Sequence, residues 1–228
     1  MYAEVKSKWL PPLRTVLTVL LATMGYTASL VVAPLRQYPD IREMHVFFSS
    51  SKDPRHLETL RAVRGVSESF KVKLHEHKLR NGFDFEEALR AYVVTLNAVP
   101  EAKPVVFNAS SGPRPMIMAA TIFCSTHDIP LHYYDEYDTS EGKVVPLKAF
   151  RSLRGLGATK LKVLRKLQKA GPCDVSTLAS SLDLAMSTVS AHVHELATSG
   201  LVQTVREGKR QLVTLEPGLA VLDLEAVA

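Results

Sequence analysis

Residues 103–116 read KPVVFNASSGPRPM. Val105-Val106-Phe107 is an apolar run, and Asn108, Ala109, Ser110, Ser111 and Gly112 follow it as small or polar residues. Pro113, Arg114 and Pro115 come next, where missing N–H groups suit the first turn of a helix. The stretch predicts a buried strand that turns sharply into a helix. Residues 14–26, RTVLTVLLATMGY, repeat the arrangement. A continuous apolar run from Arg14 to Ala22 leads into Thr23-Met24-Gly25-Tyr26. Strands that are apolar throughout are buried on both faces and belong at the centre of a parallel sheet.

The segments around these two strands complete the pattern. Thr27–Gln37 predicts a helix that ends at Tyr38-Pro39-Asp40. Glu43–Phe48 (EMHVFF) predicts a second strand, and Leu57, Leu60 and Val63 place a helix over Pro54–Ser69. Phe70, Val72 and Leu74 alternate with Lys71, Lys73 and His75, which predicts a third strand with one wet face. Phe85, Leu89, Tyr92, Val93 and Leu96 share a helix face. Met116–Thr126 is an apolar helix, and Pro130–Tyr134 a last short strand. Strand–helix alternation gives an α/β, Rossmann-like parallel sheet wrapped by helices. With strands 1 and 4 central and strand 3 at an edge, the expected order is 3-2-1-4-5. The loops leaving strands 1 and 4 then flank a crevice at their carboxyl ends.

Both loops suit a ligand. Exposed backbone N–H groups at a helix start favour an anion, Arg114 adds a positive charge, and Gly112 permits close approach to the backbone. The candidate ligand residues are Thr23, Met24, Gly25, Tyr26, Asn108, Ala109, Ser110, Ser111, Gly112, Pro113 and Arg114. A plain Ser-capped turn fits the second loop as well. Neither loop is a dinucleotide fingerprint or a Walker A loop.

The chain changes character near residue 150. Residues 1–150 form the expected sensor domain, 151–158 a linker with two glycines and two arginines, and 159–228 a second domain. Leu161, Leu164 and Leu167 mark one helix, ended by Gly171-Pro172. Asp174 suits the N-cap of the next, whose Val175, Leu178, Ala179 and Leu182 form an apolar stripe. Asp183-Leu184-Ala185 is a tight turn into a third helix, Met186–Ser199. That helix turns Val189, Val193, Leu196 and Ala197 inward and Ser187, Ala191, His194 and Thr198 outward, with Thr188 and Ser190 on the flanks. Leu201–Val205 and Gln211–Leu215 alternate as strands around a tip, Arg206-Glu207-Gly208-Lys209-Arg210.

Three helices and a basic hairpin describe a winged helix-turn-helix domain. Its third helix enters the major groove and its wing approaches phosphate. The candidate residues for double-stranded DNA are Ser187, Thr188, Ser190, Ala191, His194, Arg206, Lys209 and Arg210. A winged helix used only for protein contacts has the same sequence pattern.

Charge agrees with the division. The 228 residues carry a net +5, yet residues 151–210 hold ten Lys and Arg against four Asp and Glu. Such a basic segment attracts nucleic acid. Apolar content of 46% and charged content of 22% exclude a wholly disordered or collagen-like chain. Cys124 and Cys173 lie too far apart in sequence for a disulfide framework to be read, which suits a reducing compartment. The apolar run Val16–Ala33 follows Lys6, Lys8 and Arg14, but polar residues and Gly25 interrupt it and no cleavage site follows. The expectation is a cytoplasmic chain with no membrane span.

No residue pattern calls for an enzyme, a metal or a cofactor. His75 and His77 share the wet face of strand 3 with no acid or cysteine apparent beside them. His192 and His194, two apart on a helix, point in different directions. Asp135, Glu136 and Asp138 read as a solvated turn.

Taken together, these motifs resemble a known family. A Rossmann-like domain with Met24-Gly25-Tyr26 after strand 1 and Asn108 to Met116 after strand 4, joined to a winged helix, resembles the CRISPR-associated Rossmann-fold (CARF) transcriptional regulators of archaea. Ser111 stands where that family frequently has glycine. Tyr133-Tyr134-Asp135-Glu136 is similar to the family's strand-5 ending. The resemblance covers essentially the whole chain. It implies a homodimer whose paired sensor domains bind a cyclic oligoadenylate, cyclic tetra-adenylate first among them. The ligand would then control binding to promoters of CRISPR-associated genes. Three other readings share these residues: ligand cleavage with Ser110 and Arg114, a winged-helix regulator of another small molecule, and a protein that coats DNA without sequence preference.

Overall fold

The computed structural model describes residues 17–50, 53–207 and 210–224. Lys209 and residues 14–16 of the expected first strand lie outside these. By their internal contacts the residues form two compact units, one within 1–123 and 132–143, the other within 124–131 and 144–228.

The order of elements begins with β1 (Thr18–Thr23), α1 (Ala28–Val32), α2 (Pro34–Gln37), β2 (Ile41–Ser49), α3 (Pro54–Ser69) and β3 (Lys73–Leu79). It continues with α4 (Phe85–Ala98), β4 (Val105–Asn108), α5 (Arg114–His127), β5 (Leu131–Tyr133) and β6 (Lys143–Val145). The strands form a six-stranded sheet in the order β3-β2-β1-β4-β5-β6. β1 pairs in parallel with both β2 and β4, and β2 with β3. The expected five-strand order is contained in this sheet. The sixth strand arises in a segment that the sequence reading treats as connection.

Alternation along the strands divides the core into two layers. Leu20, Ala22 and Met24 with Met44, Val46 and Phe48 face one way, against Val31, Val32, Leu35, Leu60 and Val63 from α1, α2 and α3. On the other face Tyr92 of α4 meets Phe47 and Phe107 edge-on, with ring centroids 4.7 and 5.0 Å apart. The Tyr92 hydroxyl donates to the Met116 carbonyl at 3.1 Å, so this buried phenol is hydrogen-bonded. Truncating such an aromatic ring costs about 3–5 kcal/mol.

Three expectations need correction. The helix expected over Thr27–Gln37 is two short helices, broken at Ala33 because Pro34 has no N–H to continue the first ladder. The third strand begins at Lys73 rather than Phe70, which instead caps α3 and stays largely exposed. Its expected wet face is wet at Lys73 but not throughout. His75 and His77 are only partly exposed and stack on rings of β2, His75 on His45 and His77 on Phe47.

The second unit holds α6 (Leu147–Ser152), α7 (Ala158–Ala170), β7 (Cys173–Asp174), α8 (Val175–Leu182), α9 (Met186–Thr198), β8 (Val202–Glu207) and β9 (Arg210–Leu215). Its sheet is β7-β9-β8, antiparallel throughout. Asp174 caps α8 as expected, its carboxylate accepting the Thr177 N–H at 2.8 Å. The turn between α8 and α9 is made by Asp183 in the left-handed conformation, with φ of 55°. The apolar stripes meet in one core around Leu164, Leu167, Leu178, Val189, Val193 and Val213. Ala149 and Leu153 are buried in that same core, with Leu156 packed against it. The expected linker, 151–158, is therefore partly helix and turn, tied to this unit's core through Leu153 and Leu156.

Candidate ligand pocket and nucleic-acid interface

The carboxyl ends of the parallel strands enclose a cavity of about 600 Å³. Its walls come from several loops. Met24, Gly25 and Tyr26 follow β1, Ser49 and Ser50 end β2, Arg80 and Asn81 follow β3, and Ser110 to Pro113 follow β4. This is the crevice expected where the strand order reverses.

Hydrogen bonds fix the loops to one another. The Gly25 N–H donates to Ser111 Oγ at 3.0 Å. A Cβ on Gly25 would stand 2.8 Å from both Gly112 N and Ser111 Oγ, so the two loops meet where only glycine fits. Gly112 has φ of 126°, which other residues rarely adopt. The Gly82 N–H donates to Ser49 Oγ at 3.0 Å and draws in the loop after β3. The Ser110 hydroxyl donates to Asn108 Oδ1 and accepts the Tyr134 N–H at 2.8 Å.

The expected ligand residues divide into two groups. Met24, Gly25, Tyr26, Ser110, Ser111, Gly112 and Pro113 line the cavity, whereas Thr23, Asn108, Ala109 and Arg114 do not. Thr23 is fully buried at the end of β1. Asn108 is buried beneath the pocket, and its amide donates to the Leu30 carbonyl at 2.7 Å. Ala109 is buried and donates its N–H to the His132 carbonyl at 3.0 Å. Arg114 opens α5 on the exposed surface.

Among the described residues the cation lining the cavity is Arg80, joined by His56, Phe83, Asn81 and Glu136, none of which the sequence reading selected for ligand binding. Extending the crevice rule to the loops after strands 2 and 3 would have found Arg80 and Asn81. The Arg55 guanidinium lies 4.4 Å over the half-exposed Tyr26 ring, and His56 meets the same ring edge-on at 6.0 Å. The Arg55 side chain hydrogen-bonds the Asp53 carboxylate and pulls its pKa down to about 2. Burial lowers the His56 pKa below its ordinary value. An aromatic face, a cation and small-residue loops at a helix start can hold a flat base and a phosphate.

The absence of an acid beside the strand-3 histidines is also corrected. Glu43 Oε1 lies 3.2 Å from His75 Nε2 and 3.4 Å from His45 Nε2. The three residues come from neighbouring strands, a proximity that spacing along the chain does not reveal.

In the second unit, Ser187, Thr188, Ser190, Ala191 and His194 are all exposed on α9. Val189, Val193 and Leu196 anchor its other face in the core. Arg206 on β8 and Arg210 on β9 are exposed beside the hairpin tip. Glu195 is held by Lys160 at 2.5 Å, which neutralises the acid on this helix. Among the described residues, no helix is long and apolar enough to cross a membrane.

A family model described as HVO_A0114 matches residues 156–216. No curated protein sequence matches the chain. Among solved structures, a probable transcriptional regulator from Pseudomonas aeruginosa is 32% identical over 32% of this chain and 58% of its own, with a TM-score of 0.30. BpsR of Bordetella bronchiseptica, whose DNA binding is regulated by 6-hydroxynicotinic acid, is 24% identical over 28% of this chain and 50% of its own, at 0.27. A homodimeric winged helix-turn-helix DNA-binding domain from Mycobacterium bovis is 26% identical over 32% of this chain and 65% of its own, at 0.28. The chain thus spans between half and two thirds of the length of each.

Proposed function

We propose that this chain is a ligand-responsive, DNA-binding transcriptional regulator. The observation that carries the reading is α9. Its inner face is locked in a core, and its outer face presents mostly small or polar side chains, Ser187, Thr188, Ser190, Ala191 and His194, with Met186 exposed at its start. Such a face allows close approach to base edges, while Arg206 and Arg210 supply charge for phosphate. The tight turn at Asp183 and the β8–β9 hairpin complete a winged helix-turn-helix.

The sensor reading rests on the cavity at the ends of β1 and β4. The resemblance noted in the sequence makes its ligand a cyclic oligoadenylate, and the promoters those of CRISPR-associated genes. The Tyr26 ring supports a stacked base, and Arg80 with the loop before α5 supports phosphate. A two-fold symmetric ligand suits a homodimer with one pocket from each copy, acting in the cytoplasm. The chain binds and signals rather than catalyses. Calorimetric titration with cyclic tetra-adenylate, alone and with promoter DNA, tests this. Binding at one ligand per dimer with an affinity that DNA alters supports the sensor. Absence of binding by a folded dimer removes the ligand assignment and leaves the DNA-binding role standing.

One observation favours a second reading. His56, its pKa lowered by burial, lines the same cavity as Arg80. There His56 would take the proton of a ribose 2′-hydroxyl as its oxygen attacks the adjacent phosphate; the bond from phosphorus to the 5′-oxygen breaks, that oxygen leaves as a hydroxyl with a proton from water, and Arg80 offsets the charge on the resulting 2′,3′-cyclic phosphate. Linear product from labelled ligand, lost in His56→Ala, would establish this second reading.

A further inference from the structure

β2 and β3 bring three metal-ligating side chains together, away from the cavity described above. His45 and His75 are direct partners across the parallel ladder. Glu43, two residues before His45, faces the same side of the sheet. One ligand atom from each of Glu43, His45 and His75 lies within 4.8 Å of the others. His45 is 6% exposed, and among the described residues neither its Nε2 nor that of His75 makes a hydrogen bond of good geometry; both face Glu43 Oε1, at 3.4 and 3.2 Å. A buried imidazole nitrogen left with such a contact is poorly compensated for the water it gives up.

The surroundings are those of a supported site. His45 Nδ1 lies 2.9 Å from His77 Nε2, a contact that fixes the ring's orientation and leaves Nε2 directed at Glu43. Lys103 Nζ holds the other carboxylate oxygen, Glu43 Oε2, at 2.8 Å. Oε1 therefore remains for a further partner. The group opens on a cavity of about 720 Å³ between β2, β3 and α4.

We propose that Glu43, His45 and His75 bind a divalent transition-metal ion of the zinc class, through Glu43 Oε1 and the two Nε2 atoms. Two imidazoles select such an ion over magnesium or calcium, and one carboxylate adds compensating charge. Three protein ligands leave a fourth position open to the cavity for water. The two rings stack with centroids 4.4 Å and planes 5° apart, so His75, the more exposed of the pair, must tilt for both in-plane lone pairs to converge on an ion. His77 acts as a positioning residue through His45. The ion would tie the outermost strand, β3, to its neighbour.

The test uses the full chain without an affinity tag, stripped by a chelator and titrated with Co²⁺ and then Zn²⁺. One ion per chain, ligand-field absorption typical of four-coordinate Co²⁺ and a rise in Tm are expected. His75→Ala and Glu43→Gln should each weaken binding by more than about 10- to 100-fold, the loss typical of removing only an outer partner of a ligand. Circular dichroism confirms that each variant is folded, and His75→Gln replaces His75→Ala if the latter is not. A His192→Ala variant should bind the ion as tightly as the original chain. No saturable binding, or binding of equal strength in folded His75 variants, would overturn the proposal and leave an adventitious ion only.

Discussion

The Gly25 N–H donates to the Ser111 hydroxyl at 3.0 Å across 86 residues of sequence. This bond joins the loops after the two central strands of the larger sheet. It leaves the Ser111 O–H as a donor beside the cavity. The loops touch so closely that their shape depends on the missing side chain of Gly25.

Gly25→Ala tests that dependence. The added methyl would stand 2.8 Å from a backbone nitrogen, inside any real Cβ contact, so one loop must move. Loop displacement of this kind should lower affinity for cyclic tetra-adenylate by at least about tenfold, the equivalent of roughly 1.4 kcal/mol. Ligand-free DNA binding by the same variant should stay within about twofold, measured by fluorescence anisotropy. Unchanged ligand affinity would separate the cavity from the ligand.

Arg80 takes the place in the cavity that sequence alone assigns to Arg114. Arg114 sits directly after the glycine loop, but it opens α5 on the surface and does not line the cavity. Arg80 leaves β3 and does line it. Arg80→Ala should therefore weaken ligand binding by roughly tenfold, as loss of a charged hydrogen-bond donor does. Arg114→Ala should change it by less than about threefold. Titration of both variants at one ionic strength decides between them, and the reverse order would refute the geometric assignment.

That difference shows what a linear pattern can and cannot carry. Val105–Phe107 and Thr18–Ala22 announce themselves because a strand buried on both faces needs no polar residues. The stripe Val175, Leu178, Ala179 and Leu182 does the same for α8. His75 alternates in sequence like a solvent-facing residue, yet it stacks on His45 in the paired strand. Arg80, His56 and Glu43 gain their neighbours only through strand pairing and crossover helices. His75 is remote along the chain from Glu43, as the loops after β1 and β4 are from Arg80, so spacing alone does not join them; only Glu43 and His45 stand at the spacing of one strand face. Pro34 is the opposite case, a breaker visible in the sequence, where the apolar pattern across it favoured one continuous helix.

His132 should make the first unit sensitive to acid. Burial lowers its pKa from 6.5 to about 4, and only 2% of the residue is exposed. Its Nε2 lies 3.1 Å from the Tyr38 hydroxyl. Because the folded pKa lies below the unfolded value, the folded state binds fewer protons between pH 6.5 and 4. Stability from the neutral ring is complete above 6.5 and is lost as pH falls towards 4. The loss is at most about 3 kcal/mol for a shift of this size. Urea unfolding at several pH values should show it, and His132→Gln should flatten the slope by about one proton. An identical slope in the variant would assign the acid sensitivity to other groups.

The winged helix separates two kinds of contact, and two substitutions distinguish them. Arg210 is exposed on β9 beside the wing, where charge meets phosphate whatever the base sequence. Arg210→Ala should weaken binding to promoter and random duplexes alike and reduce the salt slope by about one unit. His194 is exposed on the outer face of α9, opposite the buried Val193 and Leu196. His194→Ala should cost about 1–3 kcal/mol on the promoter and little on random DNA, so the ratio of the two affinities falls. The two variants must be compared at fixed salt, since the phosphate component dominates at low ionic strength. If His194→Ala weakened both duplexes equally while Arg210→Ala altered the preference, α9 would not be the element that reads sequence. The wing would then hold that role.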